Sequence, residues 1–366
     1  MAETTKIQWC HHTFNPWRGC AKVHAGCENC YAERDAIRFP MNRGIWGPKG
    51  TRVKASAAMW REPLRWNAAA AIGICPDCNG KRCESCDGKG SIGPHRRRVF
   101  CASLADVFED WQGPIHDHNG VIIHRCCACR REWASNESNP PLEEIQFTCE
   151  CGQQQGPSTW LTLPELRRDL FFLIDRTPNL DWLLVTKRPE RIRASWPAVV
   201  EFNANGAEVQ KSTVPLYRSN AWLLTSVSDQ HTFDKFWPRL RQARELVPVL
   251  GVSAEPLLGP INFTDAIGCE CPGHCVKCLE GGLDWIILGG ESGPGARPCD
   301  VAHLLYGVLQ CERANVACFV KQYGAVPVAG ERRFKLIDPK GGDPLEWDAN
   351  MRVRQFPETA LVGGVA

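Results

Sequence analysis

Six short apolar runs recur along this chain of 366 residues, and they constrain its fold more than any other feature. Each run is rich in Val, Ile, Leu, Trp or Phe and is bounded by polar residues, which is typical of parallel strands buried on both faces. The runs cover residues 99–103, 182–186, 222–226, 249–253, 285–289 and 317–321, and helical stretches at 163–176, 233–245 and 301–315 lie between them. This alternation predicts an α/β fold, here a partial TIM-barrel-like parallel sheet with right-handed crossovers.

A polar group follows each of the six runs. The carboxyl ends of parallel strands meet at one edge of a sheet, and ligands bind at that edge in such folds. The groups are Ser103 with Asp106, Thr186 with Lys187 and Arg188, Ser226 with Ser228 and Asp229, Ser253 with Glu255, Gly289 with Gly290 and Glu291, and Lys321 with Gln322. We therefore expect a polar ligand site at the mouth of the sheet.

The chain holds 21 cysteines, and the cellular compartment determines whether they form disulfides or bind metal. Its first residues do not resemble a signal peptide, and no apolar run approaches the roughly 20 residues that a transmembrane helix needs, so we expect a cytoplasmic protein. Cysteines in a reducing compartment are more often metal ligands or catalytic groups than disulfides. The net charge of +2 argues against a strongly cationic nucleic-acid binder but allows a local basic groove.

The first cysteine cluster is Cys20, Cys27 and Cys30, with six residues between the first pair and two between the second. Three close thiolates can hold three irons of a [4Fe–4S] cluster and leave the fourth iron open to a substrate or cofactor. A structural zinc site normally closes with four ligands, and this run offers only three cysteines. The alternative is a zinc site completed by a nearby side chain, for which the candidates are Cys10, His11, His12 and His24.

Three further clusters have the spacing of metal sites. The second consists of two CxxC knuckles, each followed by a glycine turn, and resembles half of the zinc-binding region of DnaJ-type chaperones. The ligands of this second cluster are Cys75, Cys78, Cys83 and Cys86. The third cluster is zinc-ribbon-like and consists of Cys126, Cys129, Cys149 and Cys151. The fourth cluster consists of Cys269, Cys271, Cys275 and Cys278. Four ligands favour Zn²⁺ in the second and third clusters, whereas the fourth could hold zinc or an auxiliary iron–sulfur cluster.

The clusters interrupt the predicted sheet as small insertions, which a bound metal can fold without a large core. In chain order we predict a cluster-binding part of the barrel at 1–69, a zinc-knuckle insertion at 70–95, a barrel strand at 96–111, a zinc-ribbon-like insertion at 112–158, barrel at 159–264, a Cys-rich insertion at 265–283, the barrel end at 284–337 and a C-terminal tail at 338–366. Residues 201–219 are a further, metal-free insertion.

Several motifs resemble the phage Gp37/Gp68 family, a domain of otherwise unknown function. They lie at 7–9, 13–20, 26–33, 103–108, 184–189, 251–260, 289–298 and 319–324, and so run nearly from end to end. That family in turn resembles radical S-adenosylmethionine (SAM) enzymes, which have a partial TIM barrel and a cluster with one open iron. The CX6CX2C spacing departs from their usual CxxxCxxC. Their GGE-like motif follows the second strand, whereas Gly289-Gly290-Glu291 lies near the end of this chain.

The resemblance to radical SAM enzymes implies a concrete mechanism. Cys20, Cys27 and Cys30 would hold the [4Fe–4S] cluster, and SAM would bind the open iron. One electron, from a donor such as flavodoxin or ferredoxin, would then cleave SAM to methionine and a 5′-deoxyadenosyl radical. The catalytic candidates are Glu255, Glu291 and Lys187, and the cofactor-binding candidates are Tyr31, Ser103, Asp106, Ser226, Ser253, Gly289, Gly290 and Lys321.

The resemblance to a phage family makes a nucleic-acid base or nucleotide a candidate substrate, modified or repaired in the host cytoplasm. Bases could stack on Trp17, Trp46, Trp60 and Trp66, and phosphates could contact the run Arg96–98, although such a run is more often a solvated edge. The alternative function is a non-enzymatic zinc-binding module that acts on nucleic acid or protein. The colour of the purified protein distinguishes the two functions, because an iron–sulfur protein is brown whereas a zinc module is colourless.

Overall fold

The computed structural model describes residues 5–38, 44–81, 83–125, 130, 132–135, 160–202, 208–267 and 282–358. Its strands are β1 (His12–Phe14), β2 (Trp17–Arg18), β3 (Arg52–Lys54), β4 (Arg97–Cys101), β5 (Ile115–His116), β6 (Ile122–Arg125), β7 (Glu132–Ser135), β8 (Leu180–Thr186), β9 (Ala198–Phe202), β10 (Glu208–Pro215), β11 (Ala221–Val227), β12 (Val249–Ala254), β13 (Trp285–Gly289), β14 (Cys299–Asp300), β15 (Ala317–Gln322), β16 (Pro327–Ala329) and β17 (Arg332–Arg333). Its helices are α1 (Tyr31–Arg38), α2 (Ala57–Ala71), α3 (Leu163–Asp175), α4 (Ile192–Ser195), α5 (Gln230–Arg241) and α6 (Val301–Ala314).

The main sheet has seven strands in the order β1-β4-β8-β11-β12-β13-β15, and every neighbouring pair is parallel. It curls into a half-barrel, so the predicted α/β fold with a partial TIM-barrel-like sheet is confirmed. All six predicted strands are present within a few residues of their expected bounds. The sequence missed β1, because a strand of three residues is too short to give a recognisable apolar run.

Local side-chain contacts set the ends of the helices. Thr162 and Glu165 form a capping box at the start of α3, and Asp300 caps α6. Asp229 caps α5 through the Thr232 backbone N–H, so this helix begins at 230 and not at the predicted 233. The sequence missed α2, which contains Pro63.

The half-barrel has two apolar layers. The helices pack on its outer face, whereas its inner face is filled by Trp9, Leu183, Trp222, Leu224, Trp285, Ile287 and Phe319. Trp285 meets Trp222 edge-on, with ring centroids 5.8 Å apart. Because side chains alternate between faces, the inner face continues along the same strands to Lys187, Ser226, Ser253, Gly289 and Lys321. The interior of the half-barrel is therefore aromatic towards the amino-terminal ends of the strands and polar at their carboxyl ends.

A second, five-stranded sheet has the order β2-β3-β5-β6-β7. The strands β5, β6 and β7 come from the segment 112–158 that we predicted as a zinc-ribbon-like insertion, and β5 pairs with β3 in parallel. The strands β9 and β10 form a separate antiparallel pair within the segment around 201–219. No helix in the described part of the chain is long and apolar enough to cross a lipid bilayer.

The basic run Arg96–98, at the start of β4, is part of the fold. Arg96 pairs with Asp181 at 3.2 Å, the Arg97 side chain is 2% exposed and donates to the Ile74 carbonyl oxygen, and Arg98 donates to the Trp9 carbonyl oxygen. Trp17 and Trp66 are buried. The suggestion that this run contacts phosphates is therefore wrong for Arg97, and neither of the two buried tryptophans can stack on a base.

Candidate metal centres and the mouth of the half-barrel

The knuckle, residues 73–93, brings four sulfurs together. The Sγ atoms of Cys75 and Cys83 lie 3.8 Å apart, those of Cys78 and Cys86 also 3.8 Å, and those of Cys83 and Cys86 3.7 Å. Tetrahedral Zn²⁺ with Zn–S bonds of about 2.3 Å spaces its sulfurs about 3.8 Å apart. The donor set and its geometry therefore fit a metal such as zinc.

Turn geometry explains why this sequence forms the site. Asn79 and Asp87 adopt positive φ angles of 48° and 49°, which Asn and Asp tolerate better than other residues with side chains. The chain then turns back, so that the Gly90 backbone N–H donates to Cys86 Sγ at 3.1 Å. Among the residues that the structure describes, no other set of three or more His, Cys, Asp or Glu side chains has all its ligand atoms within 4.8 Å. The third cluster (Cys126, Cys129, Cys149, Cys151) and the fourth (Cys269, Cys271, Cys275, Cys278) lie outside the described residues.

The segment 20–30 with the first three cysteines lies across the carboxyl ends of the central strands. Cys20 Sγ accepts a hydrogen bond from Arg188 Nη1 at 3.7 Å, just beyond β8. Gly26 packs on the residue that follows β11: a Cβ atom at this position would lie 2.4 Å from Ser228 Oγ. A side chain at this position would push Ser228 and His24 aside, so the glycine lets the segment pack closely on the end of β11.

The other end of the segment is bound to the loop after β13. Asn29 Nδ2 donates to Glu291 Oε2 at 3.0 Å, and Arg297 donates to the Ala25 carbonyl oxygen at 3.0 Å. From the adjoining helix α1, Arg34 donates to the Pro294 carbonyl oxygen at 2.6 Å. The segment is thereby fixed at both ends over the mouth.

Glu291 is bound closely by its neighbours. Its carboxylate accepts from Nε and Nη2 of Arg297 at 3.0 and 2.7 Å, from the Arg297 backbone N–H at 2.9 Å, and from Asn29. Burial raises the pKa of this carboxyl, but the hydrogen bonds from Arg297 and Asn29 outweigh burial and lower the pKa to about 2. The structure thus places this predicted catalytic residue in an ion pair that holds the cysteine segment.

Asp106 and Glu109 form a buried ionic network beneath Cys20. Asp106 accepts from Thr186 Oγ1 at 2.7 Å, the Lys187 backbone N–H at 3.1 Å and Arg188 Nη1 at 2.9 Å. Glu109 accepts from the Ala21 backbone N–H at 3.0 Å, from Arg188 Nη2 at 3.3 Å and from Arg52 at 2.6 and 2.8 Å. Asp106, which we predicted to bind a cofactor, is 4% exposed. The groups that donate hydrogen bonds to it here belong to the protein itself.

Four of the predicted residues meet on the inner face of the mouth. Lys321 Nζ lies 2.6 Å from Glu255 Oε1, Ser253 Oγ donates to Glu255 Oε2 at 3.1 Å, and Ser226 Oγ donates to the Glu255 carbonyl oxygen at 3.2 Å. A Cβ atom at Gly289 would lie 3.0 Å from Glu255 Oε1, so the glycine makes room for this carboxylate. The result is a half-buried polar cluster that can bind the charged groups of a small molecule.

The remaining predicted residues take other positions. Tyr31 is 47% exposed and its hydroxyl donates to the Ser103 carbonyl oxygen at 2.9 Å, while the Ser103 hydroxyl pairs with Asn15. A Cβ atom at Gly290 would lie 2.1 Å from the Tyr323 carbonyl oxygen, so this glycine permits a close approach of two backbones. Lys187 is half-buried on the inner face, and its charge helps burial to lower the pKa of His24 to about 4.

The candidates for a fourth ligand at the first cluster are not placed alike. Cys10 and His11 precede β1 and lie at the amino-terminal edge of the sheet, where His11 Nδ1 accepts from the Arg98 backbone N–H at 2.9 Å. His12 stacks on Trp66 with ring centroids 4.3 Å apart. Only His24 lies on the segment between the three cysteines, and its Nδ1 accepts from the Gly26 backbone N–H at 3.0 Å.

The sequence did not identify the residues that hold the segment. These are Asn29, Arg34, Glu109, Arg188 and Arg297. Arg188 was visible beside Lys187 at a strand end, but nothing in the local pattern linked it to Cys20. Burial raises the pKa of the Cys20 thiol to about 12, with Asp106 and Glu109 acting in the same direction and Arg188 against it.

Comparison with known proteins gives one family. The family model described as "Protein of unknown function (DUF5131)" matches residues 4–120 and 162–350, which include the first, second and fourth cysteine clusters and all seven strands of the half-barrel. No curated protein and no solved structure matches the chain. The resemblance to the phage Gp37/Gp68 family and to radical SAM enzymes stays a prediction. Since the match covers most of the chain, the protein belongs to the DUF5131 family.

Proposed function

We propose that this protein is an iron–sulfur enzyme of the radical SAM type, in which Cys20, Cys27 and Cys30 hold a [4Fe–4S] cluster at the mouth of the half-barrel. The observation that carries the proposal is the position of the cysteine segment. It lies across the ends of β8, β11 and β13, bound by Arg188 at one end and by Glu291 with Arg297 at the other.

The number of cysteines supports an iron–sulfur cluster with one open iron over a zinc site, which normally closes with four ligands. Each thiolate of a [4Fe–4S] cluster binds a different iron, so its sulfurs stand farther apart than four ligands around one Zn²⁺. Within the described residues, only the knuckle gathers its ligand atoms to the spacing of a single ion. If these three cysteines alone supply the ligands, one iron stays open to a cofactor.

When bound, such a cluster supplies one electron for the reductive cleavage of SAM. The protein's own residues would bind and orient the cofactor. Glu255 can accept from the N–H of its amino group, and Lys321 or Lys187 can donate to its carboxylate. The aromatic floor below, with Trp222 and Trp285, excludes water from the lower part of the barrel. Exclusion of water strengthens these charge interactions and protects a reactive radical.

The first test is the metal content of protein purified without oxygen. We expect about four irons per chain, a broad absorbance near 400 nm typical of [4Fe–4S] proteins, and zinc in the knuckle. Cys27→Ser should lose the iron and keep the knuckle zinc, and Cys86→Ser should do the reverse. A colourless wild-type protein, or iron that persists in Cys20→Ser, Cys27→Ser and Cys30→Ser alike, contradicts the proposal.

The second test concerns SAM. Calorimetry on the reconstituted protein should detect SAM binding, and a strong reductant should release 5′-deoxyadenosine slowly even without substrate. Glu255→Gln and Lys321→Met should keep the iron and weaken SAM binding by about 10-fold or more, since each removes a charged hydrogen bond of about 1.5–3 kcal/mol. Glu312→Gln, on the helix α6, is the matched control and should bind SAM like the wild type. Iron-loaded protein that neither binds nor cleaves SAM would mean that the cluster carries electrons only.

A second candidate function is a zinc-dependent interaction module. The knuckle favours it, because Ile72 is 71% exposed and Ile92 is 47% exposed beside the four cysteines, where a partner could cover them. This function predicts zinc without iron. The metal analysis above therefore distinguishes the two candidates.

A further inference from the structure

Arg188, just beyond β8, donates a hydrogen bond to the sulfur of a proposed cluster ligand. Its Nη1 lies 3.7 Å from Cys20 Sγ, and its Nη2 lies 2.8 Å from the Ala21 carbonyl oxygen. We infer that Arg188 is a positioning residue that holds Cys20 through this N–H···S bond and raises the reduction potential of the cluster. The inference rests on the proposed function, because it concerns the cluster that Cys20, Cys27 and Cys30 would hold.

Two carboxylates fix the guanidinium in place. Asp106 accepts from Nη1 at 2.9 Å and Glu109 from Nη2 at 3.3 Å, and the Arg188 residue is only 8% exposed. Glu109 is itself held by Arg52 and by the Ala21 backbone N–H. The planar group therefore cannot turn away from Cys20 without giving up its ion pairs with two buried carboxylates, which is costly.

The charge of Arg188 acts on one cysteine more than on the other two. Asp106 and Glu109 face Cys20 and oppose negative charge on its sulfur, and Arg188 is the cation that offsets them. The structure gives neither Cys27 nor Cys30 a hydrogen bond to its sulfur from any residue that it describes. Loss of Arg188 would therefore leave Cys20 facing two carboxylates.

The sign of the effect follows from the charge change on reduction. A cluster gains one negative charge when it takes up an electron, and a buried cation and an N–H donor at a ligand sulfur stabilise the more negative state. Arg188 should therefore make reduction easier. Its removal should shift the reduction potential to a more negative value.

The experiment is a redox titration of anaerobically purified full-length protein, followed by the EPR signal of the reduced cluster. Arg188→Met should keep iron and shift the midpoint potential to a more negative value than in the wild type. Arg188→Lys keeps the charge but loses the planar donor, and its potential should lie between the two. Should Arg188→Met not fold, as judged by circular dichroism, Arg188→Gln and Arg188→Lys make the same comparison.

Lys22→Met is the matched control. Lys22 is a cation on the same segment whose charge also acts on Cys27 and Cys30, but its side chain is 49% exposed and it pairs with Glu33. Because solvent screens its charge, its loss should shift the potential less than the loss of Arg188. Potentials of the Arg188 variants equal to that of the wild type overturn the inference and leave the iron–sulfur assignment intact. An equal shift in Lys22→Met also overturns it, because the effect is then one of overall charge. A wild-type protein without iron ends the proposed function, and the inference falls with it.

Discussion

At the scale of single residues, Glu291 links its protonation to the position of the cysteine segment. Its folded pKa of about 2 is below its ordinary value of 4.5. A carboxyl with a lowered folded pKa stabilises the fold above its unfolded pKa, and this contribution is lost as the pH falls from about 4.5 towards 2. Protonation of Glu291 in acid should therefore weaken its bonds to Asn29 and Arg297 and loosen the segment.

Glu291→Gln should destabilise the protein by about 2 kcal/mol at pH 7, because it removes hydrogen bonds to a charged group. It should also flatten the loss of stability between pH 4.5 and 2. Urea unfolding at pH 7 and pH 3.5 checks both effects. Glu28→Gln is the control: Glu28 also pairs with Arg297, but its side chain is 68% exposed, so the change should cost less than about 1 kcal/mol. Equal costs in the two variants contradict the assignment.

His11 contributes a pH dependence at the opposite edge of the sheet. Burial, with help from Arg98, lowers its pKa to about 2. The unfolded chain therefore binds a proton more readily, and stability falls as the pH drops below 6.5 by about 1.4 kcal/mol per unit for one proton. His11→Gln should remove that part of the slope between pH 6 and 4, measured by urea unfolding. His231→Gln changes an exposed position, so its stability curve should follow that of the wild type. If the steep slope persists in His11→Gln, a group other than His11 takes up the proton.

At the scale of elements, the knuckle is joined to the barrel at a narrow neck. Ile74 and Ser91 form an antiparallel bridge, and the Ile92 backbone N–H donates to the Gly73 carbonyl oxygen at 2.9 Å. A Cβ atom at Gly73 would lie 2.4 Å from the carbonyl carbon of Gly93, so the two chains touch there. A two-residue turn could therefore close the neck.

Replacement of residues 75–90 by Asn-Gly should leave a folded half-barrel, since Asn-Gly favours the two-residue hairpin turn and Ile74 keeps its contact with Arg97. We expect the loss of the knuckle zinc and a change in Tm of less than about 1.5 °C, which corresponds to about 1 kcal/mol in a chain of this size. Metal analysis and calorimetry measure both. Insoluble protein without iron would show that the knuckle is part of the core.

At the scale of the whole molecule, the ion pair of Arg52 and Glu109 joins the two sheets. Arg52 belongs to β3 in the second sheet and has a fully buried side chain, whereas Glu109 follows β4 of the half-barrel and binds Ala21 and Arg188. The same pair thus supports both the packing of the sheets and the position of Cys20.

Arg52→Met should destabilise the protein by about 3–5 kcal/mol, because it leaves the Glu109 charge buried without its main partner. Urea unfolding measures the change. Arg65→Met is the control, since the ion pair of Arg65 with Glu62 is exposed and should contribute less than about 1 kcal/mol. If Arg52→Met costs no more than Arg65→Met, the pair does not hold the sheets together.

The sequence by itself determined the features that depend on neighbours along the chain. The apolar runs predicted the six long strands, because parallel strands buried on both faces need unbroken apolar residues. The CxxC spacing predicted the knuckle, since its four ligands lie within twelve residues and their turns are local. The convergence of polar strand ends also followed, because parallel strands share one direction.

Only the tertiary structure decided which polar groups meet. Arg188 contacts Cys20 across 168 residues, and Asn29 contacts Glu291 across 262. Nothing in the local sequence distinguishes an arginine that binds a sulfur from one that faces solvent, because that difference depends on which strands are neighbours and on how the loops cross the mouth. The pattern marked Glu255 and Glu291 alike as strand-end carboxylates. The fold alone placed Glu255 on the inner face with Lys321 and bound Glu291 to the cysteine segment through Arg297.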